Sequence, residues 1–498
     1  MEIKMEGSAE RRFNLVDEEW VPVAGAGLVS LKRIFSDPGL KALGGTPVEK
    51  IALTKLLLAI SQAAYTPESE ENWATLGPSG VAEKAAQYLE NKKDLFWLYG
   101  DRPFLQMPII VQAEKKPIGA FLPNTPTTNT SILTQSQVEG EHNDAEKALS
   151  LVSLTGFARG GKQPDKKILL SEGYGPKSSA KPGPFLGSLG YLHSFLFGKS
   201  LQETIWLNLL TLDHINDMQV FPGGVGVPLW EQMPEGEDCP VAKALKKSLM
   251  GRLVPLCRFV LLNQDCFHCT EGIAHLIHNN GGMDPSIAVN FAEKPPKALW
   301  VNPEKRPWRE LTSLLSFFGT GGGKSYDCAQ LRIGTLRARE KVSQFSVWSG
   351  GIRVSNKAGE QRATGGDDYV ESEILLFSEW LKTSMWFVQL QHEMDVLEAM
   401  SKAVYGATTG YFKQLKTNNT KHAGMASSLF WQLCERRFQD LVNACVDTTG
   451  KETAAMRHSF VGYANKAFNT FCPWQTSRQM EAWAANRPNL SRFLNNPT

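Results

Sequence analysis

Between residues 48 and 65 the chain reads VEKIALTKLLLAISQAAY, with Leu53, Leu56, Leu57 and Ile60 three and four positions apart. That spacing puts them on one face of a helix, so the segment predicts a helix packed along one side. Upstream, RFNLVDEEWVPVAG alternates apolar and polar residues and predicts an opening hairpin that turns at Asp17–Glu19. Helical spacing returns at 200–215, followed by an apolar strand at 253–262. Two helices, 306–318 and about 327–340, are predicted on either side of the glycine cluster GTGGGKS at 319–325.

From 371 onward glycine thins out and amphipathic runs dominate. Phe387, Leu390, Met394 and Leu397 form one apolar face, and Phe430, Cys434, Phe438, Leu441 and Cys445 form another. Further helical stretches cover about 452–470 and 476–494. The pattern predicts an α+β chain: a large, irregular mixed N-terminal domain, 1–366, followed by a C-terminal four-helix bundle, 367–498.

Two segments lack this patterning. Residues 121–144, FLPNTPTTNTSILTQSQVEGEHND, are rich in Asn, Thr, Ser and Gln and predict a long loop with little to anchor it. Residues 172–190, EGYGPKSSAKPGPFLGSLG, read from composition as a Gly/Pro connector.

Composition narrows the function classes. In 498 residues, 53 Lys and Arg nearly cancel 51 Asp and Glu, so bulk charge does not drive nucleic-acid binding and any contact must be local. The first twenty residues lack the apolar core of a signal peptide, and no later run has the length and hydropathy of a membrane span, which leads us to expect a cytoplasmic protein with no membrane partner. The eight cysteines are scattered, as free thiols in a reducing compartment would be. Only Cys266-x-x-Cys269 has metal-ligand spacing. With Cys257, His268, His275 and His278 nearby, structural zinc stays open as an alternative to an ordinary buried thiol, while our expectation is no metal and no cofactor.

The cluster at 319–325 invites a nucleotide-binding reading. A phosphate-binding loop needs G-x-x-x-x-G-K-[ST], and counting back from Gly323 and Lys324 puts Phe318 where the first glycine belongs. The lead-in WRELTSLLSFF has helical periodicity where a strand is required. No metalloprotease, hydrolase or nuclease motif accompanies it, so the expectation is no enzyme, with a nucleotide-dependent enzyme using 319–325 as an alternative.

Six segments in order carry a resemblance: FNLVDEEWVPV at 13–23, IALTKLLLAISQAAY at 51–65, RPFLQMP at 102–108, LNLLTLDHI at 207–215, GRLVPLCRFVLL at 251–262 and WSGGIRVSN at 348–356. Together they resemble the large-subunit (CasA) family of the type I-E CRISPR surveillance complex, Cascade. The resemblance implies a non-catalytic subunit that reads the protospacer-adjacent motif of double-stranded DNA through the minor groove and opens the duplex so that guide RNA can pair. It implies as partners the backbone, small and RNA-handle-binding subunits, the CRISPR RNA, the target DNA and a recruited nuclease-helicase. A scaffold that docks these partners without reading DNA is the remaining alternative.

The same resemblance implies particular residues. Gly173-Tyr174-Gly175 corresponds to a glycine loop that approaches the groove, although Pro176 stands where the family has another glycine. The stretch Gly350-Gly351-Ile352-Arg353-Val354-Ser355-Asn356-Lys357 corresponds to a wedge, with Ile352 in place of an aromatic and Asn356 in place of the usual glutamine at its tip. The assigned DNA contacts are therefore Gly173, Tyr174, Gly175, Arg353, Ser355, Asn356 and Lys357. Lys294 and Lys297 are candidates for a lysine finger, and 121–144 matches in position a loop that contacts the RNA handle. In the bundle Lys413, Lys416, Lys421, Arg436 and Arg437 are candidates to follow the displaced strand, and Lys324 is at most a phosphate contact.

Overall fold

Thr46 and Glu49 start the first long helix with a reciprocal cap: the Glu49 carboxylate accepts from the Thr46 N–H at 2.7 Å, and the Thr46 hydroxyl accepts from the Glu49 N–H at 3.4 Å. Pro47 at the first helical position needs no donor there. The helix, Pro47–Ala64, is buried over 14 of its 18 residues, including Lys55 and Gln62. The predicted one-sided stripe is too narrow. The helices Glu70–Asn91, Asp144–Phe157, Leu201–Asn208 and Met250–Leu253 and the strand Gln344–Ile352 all pack on it, so nearly every face is covered.

This is a computed structural model, which describes residues 10–118, 142–161, 164–172, 181–264, 266–319, 326–357, 360–362, 369–417 and 420–494. Its contacts divide the chain into two compact units, Met1–Pro307 with Tyr326–Glu373, and Trp308–Ser325 with Ile374–Thr498.

In the first unit two three-stranded sheets accompany the helices. In one, Gln344–Ile352 lies between His193–Phe197 and Tyr369–Phe377, and His193 opposes Gly350 in antiparallel register. In the other, Cys266–Glu271 lies between Arg258–Asn263 and Lys115–Pro117. The opening hairpin exists, but its turn is displaced from Asp17–Glu19. Val21–Val23 pairs with Gly27–Val29 around Ala24–Ala26, where Gly25 and Gly27 supply φ values of 76° and 78°. The acidic residues instead close a turn onto Asn14, whose carbonyl accepts from the Asp17 and Glu18 N–H groups. The predicted strand at 253–262 begins only at Arg258, because 250–253 is helical.

Residues 307–318, which belong to the second unit from Trp308 on, are successive short turns of helix, Pro307–Glu310, Leu311–Leu314 and Ser316–Phe318, and not one helix. Among the described residues four helices of ten residues or more follow: Met385–Gln414, Thr420–Glu435, Lys451–Phe471 and Ser477–Asn486. The apolar run 430–445, continuous in sequence, is broken at Arg437 (φ −120°, ψ 11°), which sets off a short helix, Phe438–Ala444. Across the helices Arg457 grips Glu393 through two bonds, Nε at 2.8 Å and Nη2 at 2.5 Å, with both side chains buried.

Candidate nucleic-acid interface

Near its end the strand Gln344–Ile352 carries Gly350 and Gly351, and at Gly351 a neighbouring segment passes at backbone distance. A Cβ on Gly351 would sit 2.5 Å from the Tyr191 carbonyl oxygen, and one on Gly190 would sit 1.8 Å from that of Ile352. Ile352 and Val354 are fully buried, and the Val354 N–H donates to the Leu189 carbonyl at 3.2 Å. Between them Arg353 is half-buried, with Nη1 3.4 Å from the Val301 carbonyl oxygen.

Beyond Val354 the chain forms a short hairpin. Ser355, Asn356 and Lys357 stand opposite Arg362, Gln361 and Glu360 in antiparallel register. Residues 358–359, between the two strands, lie outside the described residues, and Asn356 is paired in the ladder with Gln361, one position before Lys357. Gln361, which sequence reasoning passed over, is 3% exposed. Its side-chain Nε2 donates to the Gly187 carbonyl at 2.6 Å and the Ser188 carbonyl at 3.0 Å, while its Oε1 accepts from the Gly160 N–H at 2.9 Å. Its own N–H donates to the Gly160 carbonyl at 3.1 Å.

Gly173, Tyr174 and Gly175 lie outside the described residues, but the chain on both sides of them is firmly held. Before them, the Glu237 carboxylate, 0% exposed, accepts from the Leu170 and Ser171 N–H groups at 3.1 and 2.8 Å. After them, Arg258 Nη2 donates to the carbonyls of Lys181 at 2.7 Å and Arg159 at 2.8 Å. Gly183 then bonds Ala158 through its N–H at 2.7 Å, so closely that a Cβ on Gly183 would meet the Gly156 oxygen at 2.0 Å.

The stretch 183–192 thus serves as a common bed, and not as the plain connector its composition suggests. The return from the glycine segment runs into it at Gly183, and the 355–362 hairpin docks on it at Gly187 and Ser188. A third hairpin, Val289–Asn290 with Lys297–Ala298, reaches it where Val301 N–H donates to Gly190 at 2.8 Å and Leu192 N–H donates to Leu299 at 3.0 Å. Lys294 is exposed in the connection of that hairpin, and Lys297 is held by Glu293 at 3.1 Å.

Beneath the bed lies a sealed polar cluster. His193 Nε2–H donates to the Phe185 carbonyl at 2.8 Å, and Nδ1 lies 2.9 Å from Ser286 Oγ. The Ser286 hydroxyl is 2.7 Å from Asp284, which pairs with Lys55 at 2.6 Å. The Lys55 ammonium also sits 4.1 Å over the Phe185 ring. Burial lowers the Lys55 pKa, partly offset by Asp284. Burial would raise Asp284, but the Lys55 and His193 charges and the hydrogen bonds from Lys55 and Ser286 together outweigh it, leaving the carboxyl below its ordinary range. Asp, Ser and His here resemble a nucleophilic triad in composition. At 9%, 2% and 0% exposure, however, they meet no substrate and instead brace Phe185 under the bed.

The remaining candidates separate. Cys266 and Cys269 are three apart on one strand and so face opposite sides. Burial pushes the Cys269 thiol up to about 12, and His268 and His275 are engaged with the Ala113 and Pro255 carbonyls. Among the described residues no group of three or more His, Cys, Asp or Glu is placed to hold a metal ion. Residues 320–325, with Lys324, lie outside the described residues, as do 119–141 of the polar loop; the lead-in to 320–325 is helical turn, not the strand a phosphate loop needs. Lys413, Lys416, Lys421, Arg436 and Arg437 are exposed, and Arg437 is paired with Asp440. No helix among the described residues is long and apolar enough to cross a membrane.

Known proteins share this architecture. The family model described as CRISPR-associated protein Cse1 matches residues 14–467. A CRISPR-associated protein CasA/Cse1 of Thermus thermophilus is 28% identical over 243 residues, a match that spans 46% of this chain and 43% of that protein. The crystal structure of Thermobifida fusca Cse1 has a TM-score of 0.77 at 19% identity, covering 97% of this chain and 98% of that one. The crystal structure of Thermus thermophilus CasA gives 0.75 at 20% identity, covering 97% and 99%. A chain of a CRISPR RNA-guided surveillance complex gives 0.72 at 14%, again covering 97% and 99%. The α+β fold with a helical C-terminal region, expected from the sequence, is the fold of these neighbours.

Proposed function

The chain belongs to the CRISPR-associated Cse1 (CasA) family, the large-subunit family of type I-E Cascade, and from that premise we propose that it is the subunit of an RNA-guided interference complex that reads the adjacent motif in target DNA. It opens the duplex beside that motif and takes no chemical step itself. Its partners are the other Cascade subunits, the CRISPR RNA, double-stranded DNA and a nuclease-helicase recruited afterwards.

The observation that carries this reading is the convergence on 183–192. The flank of the glycine segment runs directly into this stretch, and the 355–362 hairpin and the lysine-bearing 289–298 hairpin both dock on it. A reader of a few base pairs needs a handful of short elements held in fixed mutual register, because base contacts specify only when the backbone carrying them is positioned. Duplex opening also needs one of those elements to withstand the cost of unstacking, a few kcal/mol per step. In this scheme Gly173, Tyr174 and Gly175 approach the groove, while Arg353, Ser355, Asn356 and Lys357 carry the wedge.

The test uses the assembled complex with Asn356→Ala and, separately, Gly173→Asp. Binding to duplex targets with and without the adjacent motif should lose at least ten-fold of its discrimination in each variant, a change of about 1.4 kcal/mol. Full discrimination in both variants would leave a scaffold role and sink the assignment.

A further inference from the structure

We infer that Gln361 is a positioning residue for strand opening: it fixes the wedge hairpin to the body of the first unit through hydrogen bonds to Gly160, Gly187 and Ser188. The inference rests on the reading of 355–357 as the wedge, and it concerns a residue with no assigned role.

A two-stranded hairpin of three residues a side is marginal in water and does not hold a fixed direction by itself. An element that must part stacked bases needs a stiff base, because a hinge there would let the hairpin swing aside while the stack stays closed. Gln361 supplies that base by geometry. It stands directly opposite Asn356 in the ladder, so whatever fixes Gln361 fixes the register of that pair.

Its amide is fully used, with both N–H donors and the carbonyl oxygen occupied at 2.6, 3.0 and 2.9 Å. The partners are backbone groups 173, 174 and 201 positions away, in two separate segments. The side chain is 3% exposed, so water does not compete for these groups. Leu and Met would fill the space without making any of the bonds, and Glu would keep the Gly160 bond while facing two carbonyls with no proton to offer. The amide is therefore chosen by the site and is not a general requirement of packing.

The two backbone segments are also those on which the other elements rest. Gly160 follows Arg159, whose carbonyl shares Arg258 Nη2 with Lys181, where the chain resumes after the glycine segment. Gly187 and Ser188 belong to the bed that receives Val301 and Leu299. Gln361 thus ties the hairpin to the frame that carries the other candidate contacts.

The experiment compares Gln361→Met and Gln361→Glu in the assembled complex on two targets with the same sequence and adjacent motif. One target is fully paired, and the other is mismatched over the first base pairs beside the motif so that no opening is needed. The expected result is a loss of at least ten-fold in the rate of R-loop formation on the paired target, with near-normal rates on the pre-opened one. The loss should be at least as large for Gln361→Glu, whose buried carboxylate keeps the Gly160 bond but faces the Gly187 and Ser188 carbonyls without a proton. Equal loss on both targets would mean general disruption and would overturn the inference, as would normal opening of the paired target by Gln361→Met. Failure of the wedge reading shows separately: if Asn356→Ala combined with Lys357→Ala opened paired DNA normally, the hairpin would not be the wedge and the inference would fall with it.

Discussion

His193 shows how one residue beneath the 183–192 stretch ties stability to pH. Burial, reinforced by the Lys55 charge, lowers its pKa to about 4 from 6.5. Between those values the unfolded chain binds a proton that the folded one does not, so stability falls as pH falls from about 6.5 towards 4. Above that window the contribution is complete, and across it the loss is about 3 kcal/mol for this one group. Urea titrations of the free protein between pH 4 and 7 should show that slope together with the one from His275, which burial lowers to about 3, and His193→Gln should reduce it by the His193 part; an unchanged slope would place that proton elsewhere. Gly190 makes a different residue-scale point. At φ 96° and with a Cβ position 1.8 Å from the Ile352 oxygen, no other residue fits, which is why the bed carries glycine where composition alone suggests slack.

At the scale of elements, the C-terminal helices are held in register by a buried ion pair as well as by apolar faces. Glu393 on Met385–Gln414 and Arg457 on Lys451–Phe471 are 1% and 3% exposed, and Gln389 bonds Glu393 from the same helix at 3.0 Å. Removing one partner strands a buried charge, a loss of about 3–5 kcal/mol, whereas replacing both with apolar residues avoids most of it. Thermal unfolding should therefore rank Glu393→Ala well below Glu393→Met combined with Arg457→Leu. Additive losses in the cycle would show that the two charges do not depend on each other. The broken helix at Arg437 belongs to the same scale: the apolar spacing of 430–445 runs straight through the break, and only backbone conformation reveals it.

For the whole molecule, a net charge of +2 means that salt dependence reports local contacts rather than a general attraction. In the assembled complex on target DNA, each lysine that meets a phosphate should contribute about 0.9 to the slope of log affinity against log salt. Replacing Lys413, Lys416 and Lys421 with Gln should lower that slope by up to about 2.7 in total. A slope equal to the unaltered complex would remove these residues from the DNA path.

The sequence by itself determined whatever rests on local periodicity and chain order. The helix over 48–65, the helical C-terminal region, the Ala329–Lys341 helix and the ordered segments that resemble the family were all legible there, because helical spacing and turn chemistry are encoded within a few residues. The nucleotide motif failed on the same local ground, by residue count. Tertiary structure alone decided what depends on partners far along the chain. Gln361 reaches residues up to 201 positions away, Glu237 holds a segment 66 positions before it, and Lys55 meets Asp284 across 229. No periodicity marks such residues, since a buried amide or carboxylate is stable only where distant backbone groups satisfy it. For the same reason the glycines of 183–190 read as a loose connector in sequence and as a crowded crossing of chains in the fold.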